Sequence, residues 1–271
     1  MNVHKLWEYK EYININGVML TSELISLLQN SLTLLQVENH FCHIQYWGQL
    51  YGVDSDYHIA VGINNDAVFD KKYYYTTDFK FWNLLPKAKK KYKHLSLLAT
   101  FPFRGDSSLK IKVLDEALEL NNPERCHDMK EENRIAATIS NICDEAEICA
   151  RGQLLKQPDG TIIINPNYYG LALSEAKLLK SYLHIRKPQH RWNTNLLTRQ
   201  DYNYSMDFLD SIDLDIPNGC WNLSLEQNGS VVYLKSLYWP GMIYFHKLKT
   251  PDAGFLYVGN GRKNLDVPFI L

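Results

Sequence analysis

The chain has 271 residues, of which 45% are hydrophobic and 22% are charged, and its formal net charge is −1. These values are ordinary for a globular protein, and a chain of this length can form a core without disulfide or metal cross-links. The charge balance argues against general binding to nucleic acid, and no apolar run is long enough to cross a bilayer. Five cysteines without a CxxC pair, and the absence of a leading signal peptide, predict free thiols in an intracellular protein.

Residues 1–100 predict a helix followed by strands. The helix should begin at about Thr21, because Thr21 or Ser22 can cap its first turn. The leucines near one face of this helix are Leu24, Leu27, Leu28 and Leu35. Runs of alternating apolar and β-branched residues then predict three strands, at 44–50, 57–63 and 71–77.

The middle of the chain begins with a segment of weak periodicity. Residues 101–128 contain several turn residues, so we expect a loop-rich connection that divides the chain loosely in two. After it, Ile135, Ile139 and Ile142 recur at the spacing of one helix face. A Pro-Asp-Gly turn predicts a hairpin at 153–164.

Two further short helices are predicted before the last strands. Ser174 suits the N-cap of a helix that ends before Pro188, since the residue before a proline disfavours helical geometry. The apolar residues of that helix would be Leu178, Leu179 and Tyr182. A second short helix is expected at 205–214.

The C-terminal part of the chain predicts an antiparallel meander. Trp221, Leu223 and Leu225 recur at every second residue, which places them on one face of a strand. Asn-Gly at 228–229 suits a tight hairpin turn, and 231–238 predicts the returning strand. Two more strands are predicted, at 242–246 and 255–258.

The chain closes on three apolar residues, Phe269, Ile270 and Leu271. Apolar side chains at a chain end are costly in water, so we expect them to pack within their own domain or against a partner.

These elements together predict an α+β fold with largely antiparallel sheets, a C-terminal β-meander and several short helices. We expect 1–271 to form a single unit, subdivided loosely into 1–100, 101–128 and 129–271.

Three motifs invite a chemical interpretation, but a structural one is favoured for each. The GNGRK run at 259–263 resembles a phosphate-binding loop, yet no helix of useful length can follow it, so a positive-φ turn is favoured. A metal site is disfavoured because the His-rich segment has no second ligand pair at zinc-like spacing. The residues weighed there are His40, Cys42 and His43, with the distant Cys126 and His127.

The third motif is a cluster of four carboxylates: Asp207, Asp210, Asp213 and Asp215. The first three could line one helix face and serve acid–base chemistry, but a solvated helix face is the favoured interpretation. We therefore predict no catalytic residue, no cofactor-binding residue and no metal ligand.

Aromatic residues are abundant, with eighteen tyrosines and six tryptophans, and such residues are enriched at protein interfaces. Their use inside a β-rich core is the equally weighted alternative. The predicted partner-interface residues are Trp7, Tyr73, Tyr74, Tyr75, Trp192, Phe269 and Leu271. A basic run could contact nucleic acid or tubulin tails, although a solvated loop or helix face is favoured. The run consists of Lys87, Lys89, Lys90, Lys91 and Lys93.

Five blocks of sequence follow one another along the chain. They are YWG at 46–48 with DYHIA at 56–60, LALSEAK at 171–177 before Lys187-Pro188, MDFLDS at 206–211 before DIP at 215–217, SLYWPG at 236–241, and YVGNGRKNLDVPF at 257–269. In this order the blocks resemble the radial spoke head protein 9 family. Residues 1–30 have no match to the family pattern, and His58 stands where the family often has a second tyrosine.

The resemblance implies a non-catalytic structural subunit of the radial spoke head in the axoneme of motile cilia and flagella. It implies direct partners, radial spoke head proteins 4 and 6, whose fold would be similar. Through the head, the chain would meet the central-pair apparatus indirectly and help to regulate dynein-driven motility.

Two other functions stay open at this point. A small intracellular enzyme could assemble its site from separated loops, and a pocket holding His40, His43 or the 207–213 carboxylates would favour it. A basic loop that binds microtubules or nucleic acid is the other possibility.

Overall fold

A computed structural model describes residues 1–114, 126–189, 202–226 and 228–270. The fold is α+β, as predicted, and antiparallel pairing dominates its sheets. Its helices are α1 (Leu6–Asn14), α2 (Ser22–Glu38), α3 (Lys90–Leu98), α4 (Glu131–Ala146), α5 (Leu173–Ala176) and α6 (Val267–Ile270). Within the described residues, no helix is both long and apolar enough to span a membrane.

The strands of the N-terminal half are β1 (His43–Leu50), β2 (Tyr57–Ile63), β3 (Lys71–Thr76), β4 (Asn83–Leu84), β5 (Lys110–Leu114) and β6 (Cys126–Lys130). Those that follow are β7 (Ile148–Ala150), β8 (Leu154–Lys156), β9 (Ile162–Ile164), β10 (Tyr182–His184), β11 (Trp221–Glu226), β12 (Val231–Ser236), β13 (Met242–Lys247) and β14 (Ala253–Gly259).

One eight-stranded sheet joins the two ends of the chain, with the order β11-β12-β13-β14-β1-β2-β3-β4. The C-terminal meander is antiparallel, as predicted, while β14 pairs in parallel with β1, Gly48 lying opposite Tyr257. Gly48 follows a bulge in β1 and has a φ of +151°. A Cβ atom at Gly48 would overlap the carbonyl oxygen of Tyr257, so this close approach requires glycine.

Both faces of the central strands of the large sheet are buried, because helices cover each side. On one face α1 and α2 pack their inner residues against the strands, and the ring centroids of Tyr9 and Phe245 lie 5.0 Å apart. On the other face α4 buries Ile135, Ile139 and Ile142, as their spacing predicted. Neighbouring strand residues therefore serve opposite helical layers, which is the reason β2 is buried along its whole length.

Several local predictions are confirmed. Thr21 caps α2 by accepting a hydrogen bond from the backbone N–H of Leu24. The predicted turn at 228–229 has positive φ at Asn228 and Gly229, and the hairpin at 153–164 forms from β8 and β9. The face assigned to α2 is wrong at Leu27, which is exposed; the buried residues are Ile25, Leu28, Leu32 and Leu35.

The helix predicted from Ser174 to Pro188 is wrong. Only α5 and a 3₁₀ turn at Leu179–Ser181 form there, and the chain then extends into β10. β10 pairs with β7, and the Tyr182 hydroxyl donates to the carbonyl oxygen of Ala176. Hydrogen bonds to a distant strand thus replace those of a local helix.

The helix predicted at 205–214 is also wrong, except for a 3₁₀ turn at Ile212–Leu214. The preceding carboxylates bind arginines elsewhere in the fold, which holds the segment out of helical geometry. The described parts of 101–128 likewise contain more structure than expected, because β5 and β6 pair there and pack with α3 in a small separate cluster.

Candidate interaction surfaces

A fully buried carboxylate, Glu131, fixes a loop to the sheet. Glu131, at the start of α4, is fully buried and accepts hydrogen bonds from the Tyr57 hydroxyl at 2.8 Å and from the backbone N–H groups of Arg104 and Gly105 at 3.0 and 2.9 Å. Burial, followed by the hydrogen bond to Glu131, raises the pKa of Tyr57 well above its ordinary value. Glu131 therefore acts as an acceptor in an internal network.

A buried cation lies one turn further along α4. The Arg134 guanidinium carbon is 4.5 Å from the Phe101 ring centroid and 4.2 Å from that of Phe103, and its Nη2 donates to the carbonyl oxygen of Phe101 at 2.6 Å. Burial lowers the pKa of Arg134 to about 10, so the side chain stays charged at neutral pH. Two aromatic faces and a backbone carbonyl stabilise that charge inside the fold.

The acidic cluster does not lie on an α-helix, and two of its members are buried, so both helix-face interpretations of it are corrected. Asp207 is buried and forms a two-point ion pair with Arg151, with N–O distances of 2.7 and 2.8 Å. Asp210 is also buried; its Oδ2 lies 3.2 Å from Arg186 Nη1 and accepts from the backbone N–H of Gln189.

A cavity of about 670 Å³ borders both aspartates. Their carboxylates are held by arginines and backbone groups, an arrangement that fixes the positions of loops. Asp213, the third predicted member, is exposed.

The other two chemical motifs are the His-rich segment and the 259–263 run. His40, Cys42 and His43 are exposed, and within the described ranges no three potential ligands converge on a metal-sized site. The 259–263 run is a turn, as predicted, with φ of +68° at Gly261.

The basic run near α3 is exposed at its first four lysines: Lys87, Lys89, Lys90 and Lys91. Lys93 instead forms an ion pair with Asp144 at 2.6 Å.

The predicted interface tyrosines serve the core of the chain itself. Tyr74 is buried and donates to Asn39 Oδ1, and the ring of the buried Tyr75 packs edge-on against Tyr57. Tyr73 is half-buried, and its hydroxyl lies 3.3 Å from Cys143 Sγ. The structure thus places these three tyrosines inside the fold, which was the alternative to an interface role.

Two of the predicted interface residues lie at the surface. Trp7 is 46% exposed, and its indole nitrogen donates to Gln29 Oε1 at 3.2 Å. Phe269 is 88% exposed, so packing within its own domain is wrong for this residue and for its exposed neighbour Ile270. Trp192 and Leu271 lie outside the described residues.

A second apolar surface, not predicted from the sequence, lies on the outer side of α2. Leu27, Leu34 and Val37 are 54%, 64% and 67% exposed. A signal was present in the sequence, since residues 24–37 contain no charged side chain. Helix faces that meet water usually carry charges, so an uncharged outer face marks a surface suited to a protein partner.

The fold and these contacts define the class: an α+β protein whose conspicuous buried charges stabilise its own loops and whose exposed apolar groups offer contact surface. No protein-family model matches the chain. Three relatives named "Radial spoke head protein 9 homolog" do match it. The cattle protein is 34% identical over 100% of both chains, the zebrafish protein 36% over 94% of this chain and 95% of its own, and the human protein 35% over the same shares. The chain belongs to the radial spoke head protein 9 family.

Proposed function

We propose that the chain is a structural, non-catalytic subunit of the radial spoke head of motile cilia and flagella. In that role it supports spoke assembly and the passage of central-pair signals that regulate dynein-driven movement. The observation that carries the proposal is the match, along 94% or more of the chain, to relatives named for the radial spoke head. Its place is then the ciliary axoneme, and its direct partners are radial spoke head proteins 4 and 6.

A mechanical subunit requires stiffness, and the large sheet supports that requirement. β1, the first strand of the chain, pairs with β14, the last strand, in the middle of the sheet, where Gly48 lies opposite Tyr257. Helices cover both faces of the sheet there. We propose on this basis that 1–271 acts as a single unit. A force applied at either end of the sheet is then carried by main-chain hydrogen bonds rather than by a linker.

For the contact with neighbouring head subunits we propose the exposed aromatic residues, with Phe269 as the main anchor and Trp7 as a second. An aromatic ring that is largely in water gains most when a partner covers it, and such residues dominate interface energies. Tyr74 and Tyr75 are not part of this proposal because the core already uses them.

The test is purification of the tagged full-length chain from axonemes, with intact spokes, followed by mass spectrometry. Wild type is expected to recover the other head subunits. Phe269→Asp should reduce that recovery, whereas Phe81→Asp, at another highly exposed phenylalanine, should leave it unchanged. Failure of wild type to recover any head subunit would overturn the function, and equal recovery by both variants would overturn the contact site alone.

A further inference from the structure

The outer face of α2 has the residue spacing of a helix-pairing seam. Its exposed residues Leu27, Asn30, Leu34 and Val37 follow one another at intervals of three, four and three. That is the alternation by which two helices interlock their side chains along a shared line. At 1.5 Å per residue, the seam is about 15 Å long.

The polar groups beside the seam are already satisfied. Ser26 Oγ donates to the carbonyl oxygen of Ser22 at 3.1 Å, and Thr33 Oγ1 donates to that of Gln29 at 2.7 Å. These hydroxyls need no water, so another helix can cover them without leaving donors unpaired. With no charge between residues 24 and 37, the face also has no ion to desolvate.

Asn30 identifies the occupant. It is the one polar member of the seam, and no hydrogen bond joins its side chain to another residue in the described ranges. An amide both donates and accepts, so its natural complement across a parallel, in-register helix pair is a second Asn30. In an antiparallel pair centred on the seam, Asn30 would face Leu34 and remain unsatisfied.

We propose that α2 is a self-association surface, on which a second copy of this chain binds through parallel α2 helices with Asn30 opposite Asn30. This goes beyond the proposed function and does not depend on it. The seam is short, so the dimer forms at high local concentration, as when two copies are held in one assembly.

The first experiment is sedimentation of the purified full chain from micromolar to near-millimolar concentration. The average mass should rise from 31.6 kDa toward twice that value. Leu34→Glu should weaken dimerisation at least tenfold, because it introduces a charge into the seam. Leu178→Glu is the matched control, because Leu178 is an exposed leucine outside α2. This variant should dimerise as wild type does. A mass that stays monomeric, or that rises equally in both variants, overturns the proposal.

The second experiment tests the register and does not depend on the glutamate variants. In a background in which the exposed Cys42 and Cys126 are changed to serine, Asn30→Cys is oxidised and compared with Leu178→Cys. Facing seam positions lie within the roughly 6 Å Cα separation of a disulfide, so Asn30→Cys should cross-link much faster. Equal rates would overturn the parallel arrangement, and unchanged circular dichroism confirms that each variant is folded.

Discussion

The network around Glu131 allows a prediction that is worked from its contacts. Glu131→Gln keeps the size of the side chain but removes its charge. The carboxylate's contacts with Tyr57, Arg104 and Gly105 are 2.8 to 3.1 Å long. Hydrogen bonds to a charged acceptor contribute about 1.5–3 kcal/mol and neutral ones about 0.5–1.5. The difference is about 1 kcal/mol per hydrogen bond, so with three donors the change should cost about 1–3 kcal/mol of the free energy of unfolding.

The assay is urea denaturation followed by fluorescence, with wild type, Glu131→Gln, Tyr57→Phe and the double variant. Because Tyr57 and Glu131 share a hydrogen bond, their effects should not add, and the coupling free energy should be about 0.5–3 kcal/mol. Glu132→Gln, a half-buried carboxylate one residue along, is the control. A stability of Glu131→Gln within about 0.5 kcal/mol of wild type would show that the network does not hold the loop.

Three further outcomes are expected. Burial lowers the pKa of His246 to about 4 from 6.5, so the folded protein binds fewer protons than the unfolded chain and loses stability as pH falls from 6.5 to about 4. His246→Gln keeps an acceptor for the backbone N–H of Leu171. The denaturant concentration at the unfolding midpoint of this variant should fall less steeply with acid than that of wild type. Gly48→Ala should lower the free energy of unfolding by about 2 kcal/mol or more, because the new Cβ would overlap the carbonyl oxygen of Tyr257. A melting temperature equal to that of wild type would contradict this. Ile139→Ala should lower the free energy of unfolding, measured by denaturant titration, by about 2–5 kcal/mol. Leu97→Ala, at an exposed leucine, should lower it much less. Equal losses would place Ile139 outside the core.

Local pattern predicted the elements whose periodicity is clean. The isoleucines of α4 and the alternation around Trp221 are signals that neighbouring residues carry by themselves. The conformation of segment 174–188 is not decided by neighbouring residues in this way, because β10 within it pairs with β7. Propensity alone favours a helix there, and the distant strand decides otherwise.

The polar contacts show the same limit more strongly. Asp207 binds Arg151, which is 56 residues earlier, and Glu131 binds the hydroxyl of Tyr57, which is 74 residues earlier. Spacing within a segment cannot identify partners at such separations, so the carboxylates appeared to form a solvated helical stripe. The outer face of α2 was different, because its missing charges were visible in the sequence and were overlooked.

The parallel pairing of β1 with β14 has a consequence for biosynthesis. β1 is translated roughly 200 residues before Tyr257, and until then one edge of β1 lacks its native neighbour. A strand with an open edge is prone to pair with other chains, so we expect the unfinished sheet to be open to wrong pairing over that interval. Completion of the sheet by the last strand then removes that open edge.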